Sequence, residues 1–342
     1  MKRTIFSLIC TGIIAVVLFA SCSKNGSQPL TDIEPAGLDE VFSSLCTAPQ
    51  VFNFHAGTEI VIYANEGTKL HFYPNSFKDA GGSVITSGIV CVRLTEMYKA
   101  GAMIANRATT MAGGRLLQSG GEVYLTATQN GKPVYANSYR LGFSHKCSSN
   151  VPMALFYGST NNPASIAVWS QSAVALQGSV VDGTIADSYP HTAPLFIFDS
   201  VTNFTWTNCG SFYPFDSAKT SVSVVLPDGS FNESNTQMYL VLPDIKQKEN
   251  ATGKFISVMS NLEQGPDAGT YDQATNTMNL VSHHQVNTVP RGAAYQLVVI
   301  ANKNGTWYYF QQDGTIPHDG LVATASMQQL SVREIKNKLA GL

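Results

Sequence analysis

Trp307, Tyr308, Tyr309 and Phe310 stand consecutively in the 342-residue chain. Four rings in a row suit recognition by stacking. On a strand, alternate side chains point to opposite faces, so Trp307 and Tyr309 share one face and Tyr308 and Phe310 the other. One face must be core. The other, if exposed, is a platform for sugar rings or a partner protein. The plainer alternative is a strand buried on both faces. Trp206, within Phe204-Thr205-Trp206-Thr207-Asn208-Cys209, is a second candidate platform.

Candidates for catalysis are weaker. Glycoside hydrolysis needs two carboxyl groups about 5–9 Å apart. Glu96 closes one strand-like run and Glu122 opens another, so they are candidates, although ordinary edge or turn carboxylates fit equally. His283 and His284 are adjacent, and neighbours on a strand point apart, which works against a shared metal. His55, His71 and His145 are isolated and read as structural or surface residues. Asp267 and Asp272 lie in the Gly-, Asn- and Thr-containing stretch 265–276, but their spacing matches no calcium loop. GxSxG, HExxH, GxGxxG, Walker and EF-hand patterns are absent. No catalytic residue, metal site or cofactor is therefore expected, and the protein reads as non-enzymatic.

Charge narrows the partners. Charged residues make up 13% of the chain, against about 25% in typical domains. Ser, Thr, Asn and Gln take their place on the surface. The net charge of −2 excludes a nucleic-acid binder driven by electrostatics. A hydrophobic content of 44% excludes intrinsic disorder. Only one apolar run approaches the ~18 residues of a membrane span, which excludes a polytopic membrane protein.

The elements that must position these residues are strands. Short runs rich in Val, Ile, Thr, Tyr and Phe alternate with Gly, Asn, Asp and Pro. Expected strands include residues 59–63, 69–73, 88–95, 122–128, 221–226, 237–242, 254–259, 296–301 and 306–310. Asn130-Gly131, Asp228-Gly229 and Asn304-Gly305 supply the positive φ angles of type I′ hairpin turns. Helices are expected at Leu38–Leu45 and from Val332 to about Ala340. The second opens on the capping box Ser331-Val332-Arg333-Glu334, with Ile335 and Leu339 on one buried face. Polar, turn-rich stretches at 147–165 and 177–194 mark a boundary. The fold class is mainly β, with two β-sandwich domains at about 47–160 and 161–342 and a short C-terminal helix. Four cysteines of the mature chain, Cys46, Cys91, Cys147 and Cys209, allow two disulfides in three pairings or free buried thiols. Cys91 reads as free within a strand, and Cys46 with Cys147 is the preferred pair.

The N-terminus is a targeting segment. Lys2 and Arg3 precede an apolar run from Ile5 to Phe19, followed by small residues. Leu18-Phe19-Ala20-Ser21-Cys22 resembles the lipobox of bacterial lipoproteins. The resemblance implies a signal peptide over 1–21, acylation of Cys22 and stable anchoring in a lipid bilayer. Cleavage before Cys22 removes Lys2 and Arg3 and takes the net charge from −2 to −4. Ser23 follows the cysteine in place of the Asp common in inner-membrane lipoproteins, which implies the outer membrane. Periplasmic and cell-surface faces both stay open. Residues 22–46 read as a tether, its first part rich in Ser, Gly, Pro and Asn.

The first domain resembles an envelope module of Bacteroidota-type lipoproteins, distantly similar to ZU5 β-sandwiches. The resemblance rests on Gly67-Thr68-Lys69-Leu70-His71-Phe72-Tyr73-Pro74-Asn75-Ser76-Phe77, Ser87-Gly88-Ile89-Val90, Glu96, and Leu117-Gln118-Ser119-Gly120-Gly121-Glu122. It implies a core plug at Phe77 and a glycine corner at Gly120-Gly121. Some ZU5 tandems self-cleave after His-Phe followed by Ser; here Tyr73 follows His71-Phe72, so that activity is not carried over. The second domain resembles the partner region of such lipoproteins around residues 204–209, which implies an immunoglobulin-like sandwich. Asp199-Ser200-Val201 and Asp216-Ser217-Ala218 match the short O-glycosylation sequon of these bacteria, which implies sugars on Ser200 and Ser217.

The expected function is an outer-membrane-anchored lipoprotein acting as a non-enzymatic binding or adhesion module toward an unknown protein or glycan. The rivals are a glycan-binding lipoprotein of a polysaccharide-uptake system, using Trp307, Tyr309 or Trp206, and a structural envelope scaffold.

Overall fold

The computed structural model describes residues 37–144, 153–159, 168–171, 179–181, 195–213, 218–245, 255–261, 269–280 and 289–342. The signal segment, Cys22, His145, Cys147, Ser217, Asp267, His283 and His284 lie outside them. In chain order the first half runs α1 (Leu38–Leu45), β1 (Gln50–His55), β2 (Ile60–Tyr63), β3 (Lys69–Phe72), β4 (Phe77–Lys78), β5 (Ile89–Met97), α2 (Ala100–Ala105), β6 (Met111–Ala112), β7 (Arg115–Gln129), β8 (Lys132–Ala136) and β9 (Tyr139–Ser144). Next come β10 (Ala154–Ser159), β11 (Val168–Gln171), β12 (Ser179–Val181), β13 (Leu195–Val201), β14 (Thr205–Phe212), β15 (Lys219–Thr220), β16 (Val222–Val225) and β17 (Thr236–Ile245). The chain closes with β18 (Phe255–Ser260), β19 (Thr270–Asp272), β20 (Thr277–Asn279), β21 (Val289–Pro290), β22 (Ala294–Lys303), β23 (Thr306–Thr315), β24 (Leu321–Thr324), β25 (Gln328–Gln329) and α3 (Val332–Ala340). The fold is mainly β, as the alternation of apolar and polar residues requires.

One large sheet is the spine, in the order β14-β10-β11-β6-β7-β18-β17-β22-β23-β25, with β5 and β8 also on β7 and β1 on β5. Beside the short pair β15-β21, a five-stranded sheet, β12-β13-β9-β3-β2, and a four-stranded sheet, β19-β20-β16-β24, complete the layers. One continuous core joins all three, from Phe54, Phe72 and Val92 to Val224, Leu297 and Ala323. On the other face of the large sheet, α1, α2 and α3 cover a second core that includes Tyr239, Val298, Ile300, Trp307 and Tyr309.

The central strands are therefore buried on both faces. Leu297, Val299 and Ala301 enter the first core, while Val298 and Ile300 of the same strand enter the second. Such strands read as continuous apolar runs instead of alternating ones.

Strand pairing crosses the expected boundary near residue 160. β7 pairs with β14 along eight positions, from Thr205↔Leu125 to Phe212↔Leu117, and with β18 at Ile256↔Ser119. Residues 34–342 accordingly form one unit. The polar stretches that suggested a linker themselves contain strands of these sheets, β10 within 147–165 and β12 within 177–194.

Local chemistry explains the connections. Asn130 and Gly131 (φ 51° and 75°) turn β7 into β8, and Asn304 and Gly305 (φ 55° and 81°) turn β22 into β23. Asp228-Gly229 departs from expectation, with neither residue at positive φ. The Asp228 carboxylate instead accepts the Ser230 N–H at 2.8 Å, an Asx turn that removes the need for a left-handed glycine. Ser331 caps α3: the Glu334 N–H donates to its hydroxyl, and the Ser331 N–H donates to the Glu334 carboxylate at 2.8 Å. Ile335 and Leu339 are buried as the four-residue spacing demands. Phe77 plugs the first core, its ring 4.9 Å from Phe72 and 5.9 Å from Phe204. Gly121 adopts φ 139°, and a Cβ there would overlap the Tyr98 ring, so the glycine is required twice over.

Cys46, Cys91 and Cys209 are free thiols. The preferred Cys46–Cys147 pair is thereby corrected: the Cys46 thiol donates instead to the Ala105 carbonyl at 3.3 Å, tying the end of α1 to α2.

Candidate functional site

A cleft of about 280 Å³ opens where the helices meet the end of the large sheet. Its floor is apolar: Leu45 from α1, Leu94 from β5, Ala102 and Ala105 from α2, and Leu339 from α3. The volume lies near the lower edge of the ~300–1,000 Å³ typical of small-molecule sites.

One wall is a self-satisfied polar network centred on Glu96. One carboxylate oxygen accepts from Gln50 Nε2 at 2.7 Å and from the Glu66 N–H at 2.8 Å. The other accepts the Thr68 N–H at 2.9 Å. Gln50 turns its carbonyl oxygen to the Asn65 N–H at 3.0 Å, so its amide is spent in both directions. Tyr98 pairs its hydroxyl with that of Thr68 at 2.9 Å and accepts the Ser144 N–H at 3.2 Å. Burial pushes its phenol well above the ordinary tyrosine range, so it stays neutral. These contacts fix the 64–68 turn against the ends of β1 and β5.

Lys99, Lys336, Asn65 and Glu66 line the exposed rim. Their side chains make no hydrogen bond or ion pair among the described residues, so they hold the cleft's free polar capacity. The helical wall is secured by Arg107, whose guanidinium meets Asp39 at 2.6 Å and lies 4.6 Å over the Phe42 ring. Cys46 sits behind the cleft. Burial pushes its thiol up, against the opposing pull of the Lys336 and Arg107 charges.

The aromatic candidates require correction. Trp307 is 1% and Tyr309 2% exposed, both sealed beneath the helices in the second core. Tyr308 and Phe310 pack toward the first core, Tyr308 edge-on against Phe231 at 5.2 Å. The strand has no free face, because Trp307 and Tyr309 lie in the second core while Phe310 lies in the first with Tyr308 packed against it. Trp206 is half-buried, its ring 4.7 Å from Tyr124 and 6.5 Å from Trp169. It belongs to an aromatic cluster and keeps intermediate exposure.

The carboxylates also separate. Glu96 lies opposite Val123 and Glu122 opposite Met97 in the β5–β7 register. Opposed residues in an antiparallel pair share a face, so Glu96 and Glu122 point to opposite sides of the sheet. They cannot flank one bond as acid and base. Glu122 does not open its strand; it is buried within β7 and accepts from Asn208 Nδ2 at 2.6 Å. Ser119 donates to Asn208 Oδ1 at 3.2 Å and accepts the Gly121 N–H at 3.1 Å. This network lies within the sheet, at the register shift between Cys209 and Gly210. Its role is to satisfy polar groups there.

His71 Nε2 pairs with Glu59 at 2.7 Å on the surface. Asp272 accepts from the Ala274 N–H at 2.9 Å and the Thr275 hydroxyl at 2.8 Å, stabilising the turn before β20. Among the described residues no group of three His, Cys, Asp or Glu side chains converges as metal ligands would. Ser200 is exposed at φ 58°, where the β9–β13 register shifts. No described helix is long and apolar enough to cross a membrane.

Sequence reasoning marked Glu96 and missed the cleft, whose lining comes from α1, β1, three loops, β5, α2 and α3. No protein-family model matches the chain, and no curated protein resembles it closely enough to register a match.

Proposed function

We propose that this protein is a lipoprotein, acylated on Cys22 and anchored in the outer membrane, whose mainly-β body works by binding a partner instead of by catalysis. The observation that carries the binding reading is the cleft, with its apolar floor, rigid polar wall and rim of uncommitted charged groups. That combination of an apolar body and a few placed polar groups is how recognition sites are built. Support for anchoring comes from the apolar run ending in Leu18-Phe19-Ala20-Ser21-Cys22. Several acyl chains at about 0.8 kcal/mol per buried CH₂ give stable attachment. Sugars on Ser200 and Ser217 belong to the same proposal, and the exposure of Ser200 favours it there.

Labelled palmitate is expected on the wild-type chain and not on Cys22→Ser, which should leave the membrane fraction. Palmitate missing from the wild type, or the variant still sedimenting with membranes, overturns the anchor. Intact mass of the native protein reads lipid and sugar together; a mass equal to the acylated polypeptide alone removes the sugars. For binding, cross-linking in intact envelopes is expected to capture a partner with the wild type. Ala48→Trp, which places an indole on the exposed rim, should abolish that capture. Equal capture by both locates binding elsewhere.

A further inference from the structure

We propose that Asn130 is a site of spontaneous deamidation, its side-chain amide hydrolysed by water through a cyclic imide, and that Asn304, in the same kind of Asn-Gly turn, is protected by Asn302. Asn-Gly occurs at residues 25, 130 and 304, and the last two lie within the described residues. Both of these close two-residue hairpins with the asparagine at positive φ, 51° at Asn130 and 55° at Asn304. Both asparagines are exposed, and a Cβ on either glycine would meet nothing within 4 Å. Access therefore does not separate the two turns. The glycine N–H does. Gly305 donates its N–H to Asn302 Oδ1 at 3.0 Å. Asn302 is itself buried, and its backbone N–H donates to the Asn235 carbonyl at 2.9 Å, so the acceptor is anchored. The Gly131 N–H has no hydrogen-bond partner among the described residues.

That backbone nitrogen is the nucleophile. After losing its proton to solvent base, Gly131 N attacks the side-chain carbonyl carbon Cγ of Asn130. The N–Cγ bond forms, the Cγ–Nδ2 bond breaks, and ammonia leaves with a proton returned by solvent. Water then opens the imide at either carbonyl, giving aspartate or isoaspartate. The net change is amide plus water to carboxylic acid plus ammonia, with no oxidant or reductant. Glycine favours the attack because no side chain shields its nitrogen. From the left-handed conformation that nitrogen must swing toward Cγ, so the turn has to open first. Opening at Asn304 also breaks the bond from Gly305 to Asn302, and one such bond lowers the open population by about fivefold. An isoaspartate lengthens the backbone of a turn closed by the Gln129↔Lys132 pair. Loop length sets hairpin register, so the modification is felt in the β7–β8 pairing.

The test incubates the detergent-solubilised full chain in mildly alkaline, heavy-oxygen water and follows its peptides by mass spectrometry, fragment ions placing each amide-to-acid conversion. Heavy oxygen in the new carboxyl marks conversion during the incubation. Asn130 is expected to convert about fivefold faster than Asn304 and to yield both aspartate and isoaspartate. Asn302→Ala should raise the Asn304 rate by the same factor and leave the Asn130 rate unchanged. Asn302 is buried, so a melting curve checks that the variant folds. The wild type in urea gives a second measurement that needs no variant: with both turns unfolded, the two rates should converge. Equal rates in the folded chain, or a faster Asn304, overturn the proposal. A difference that persists in urea also overturns it, by assigning selectivity to neighbouring residues in the sequence. An Asn304 rate unmoved in a folded Asn302→Ala variant overturns the protection by Asn302. Aspartate without isoaspartate at Asn130 overturns the imide route.

Discussion

Gly101→Ala is expected to undock the C-terminal helix, although it adds one methyl group. The α2 backbone at Gly101 lies so close to α3 that a Cβ would overlap the Leu339 carbonyl oxygen. The obstacle is backbone, which cannot rotate aside as a side chain would. α3 must therefore move, and with it the apolar face formed by Ile335 and Leu339. Overpacking of this kind costs about 1–3 kcal/mol, and re-exposing a buried Leu or Ile costs about 1.5–3 kcal/mol each. A net loss of about 3 kcal/mol follows, since the shifted helix keeps part of its contacts. For a chain of this size the melting midpoint should fall by roughly 4–5 °C. Limited proteolysis should cut first within residues 330–342. The cleft should fail with it, because Gly101 and Leu339 both line it. An unchanged midpoint with unchanged C-terminal resistance would mean that α2 and α3 cross less closely than described.

Much of this arrangement is legible in the residues. Ser331 and Glu334 announce the start of α3, and the four-residue spacing of Ile335 and Leu339 announces its buried face. Asn-Gly pairs mark two hairpins, because few other dipeptides accept positive φ twice. What stays hidden depends on distant parts of the chain. Asp228-Gly229 is spelled like a hairpin turn, but the carboxylate of Asp228 finds a nearer backbone donor. Glu122 is spelled like an exposed strand residue. Only the register that sets Asn208 across from it turns it into a buried, hydrogen-bonded carboxylate. The boundary near residue 160 fails for the same reason. Polar composition reports a loop, and cannot report that the strands on either side return to one sheet. The cleft is least legible of all. Glu96 is visible as a carboxylate, but its three donors come from residues 28 to 46 positions away. Lys336 joins the rim only because α1 and α3, far apart in the chain, pack on the same face of the sheet.

Trp307→Ala separates the two readings of the aromatic strand by size of effect. An exposed stacking platform tolerates truncation, since surface substitutions away from special features change stability by about 0.5 kcal/mol or less. A buried tryptophan does not: removal of the indole forfeits its transfer energy and leaves a cavity, at a cost of about 3–5 kcal/mol. Trp307 is 1% exposed and packs in the core beneath α1 and α3, so the larger figure is expected. Urea denaturation should show the midpoint falling with the slope unchanged, because the surface exposed on unfolding barely alters. Tyr308→Ala provides the internal comparison. Its ring is half-buried, edge-on against Phe231, and its loss should cost markedly less than that of Trp307. If the strand were a platform on the Trp307 face, the order would invert: Trp307→Ala would be silent in stability and Tyr308→Ala costly. The pair of measurements therefore tests the double-sided burial of β23 directly. That burial removes the aromatic run as a platform and leaves the cleft as the candidate site.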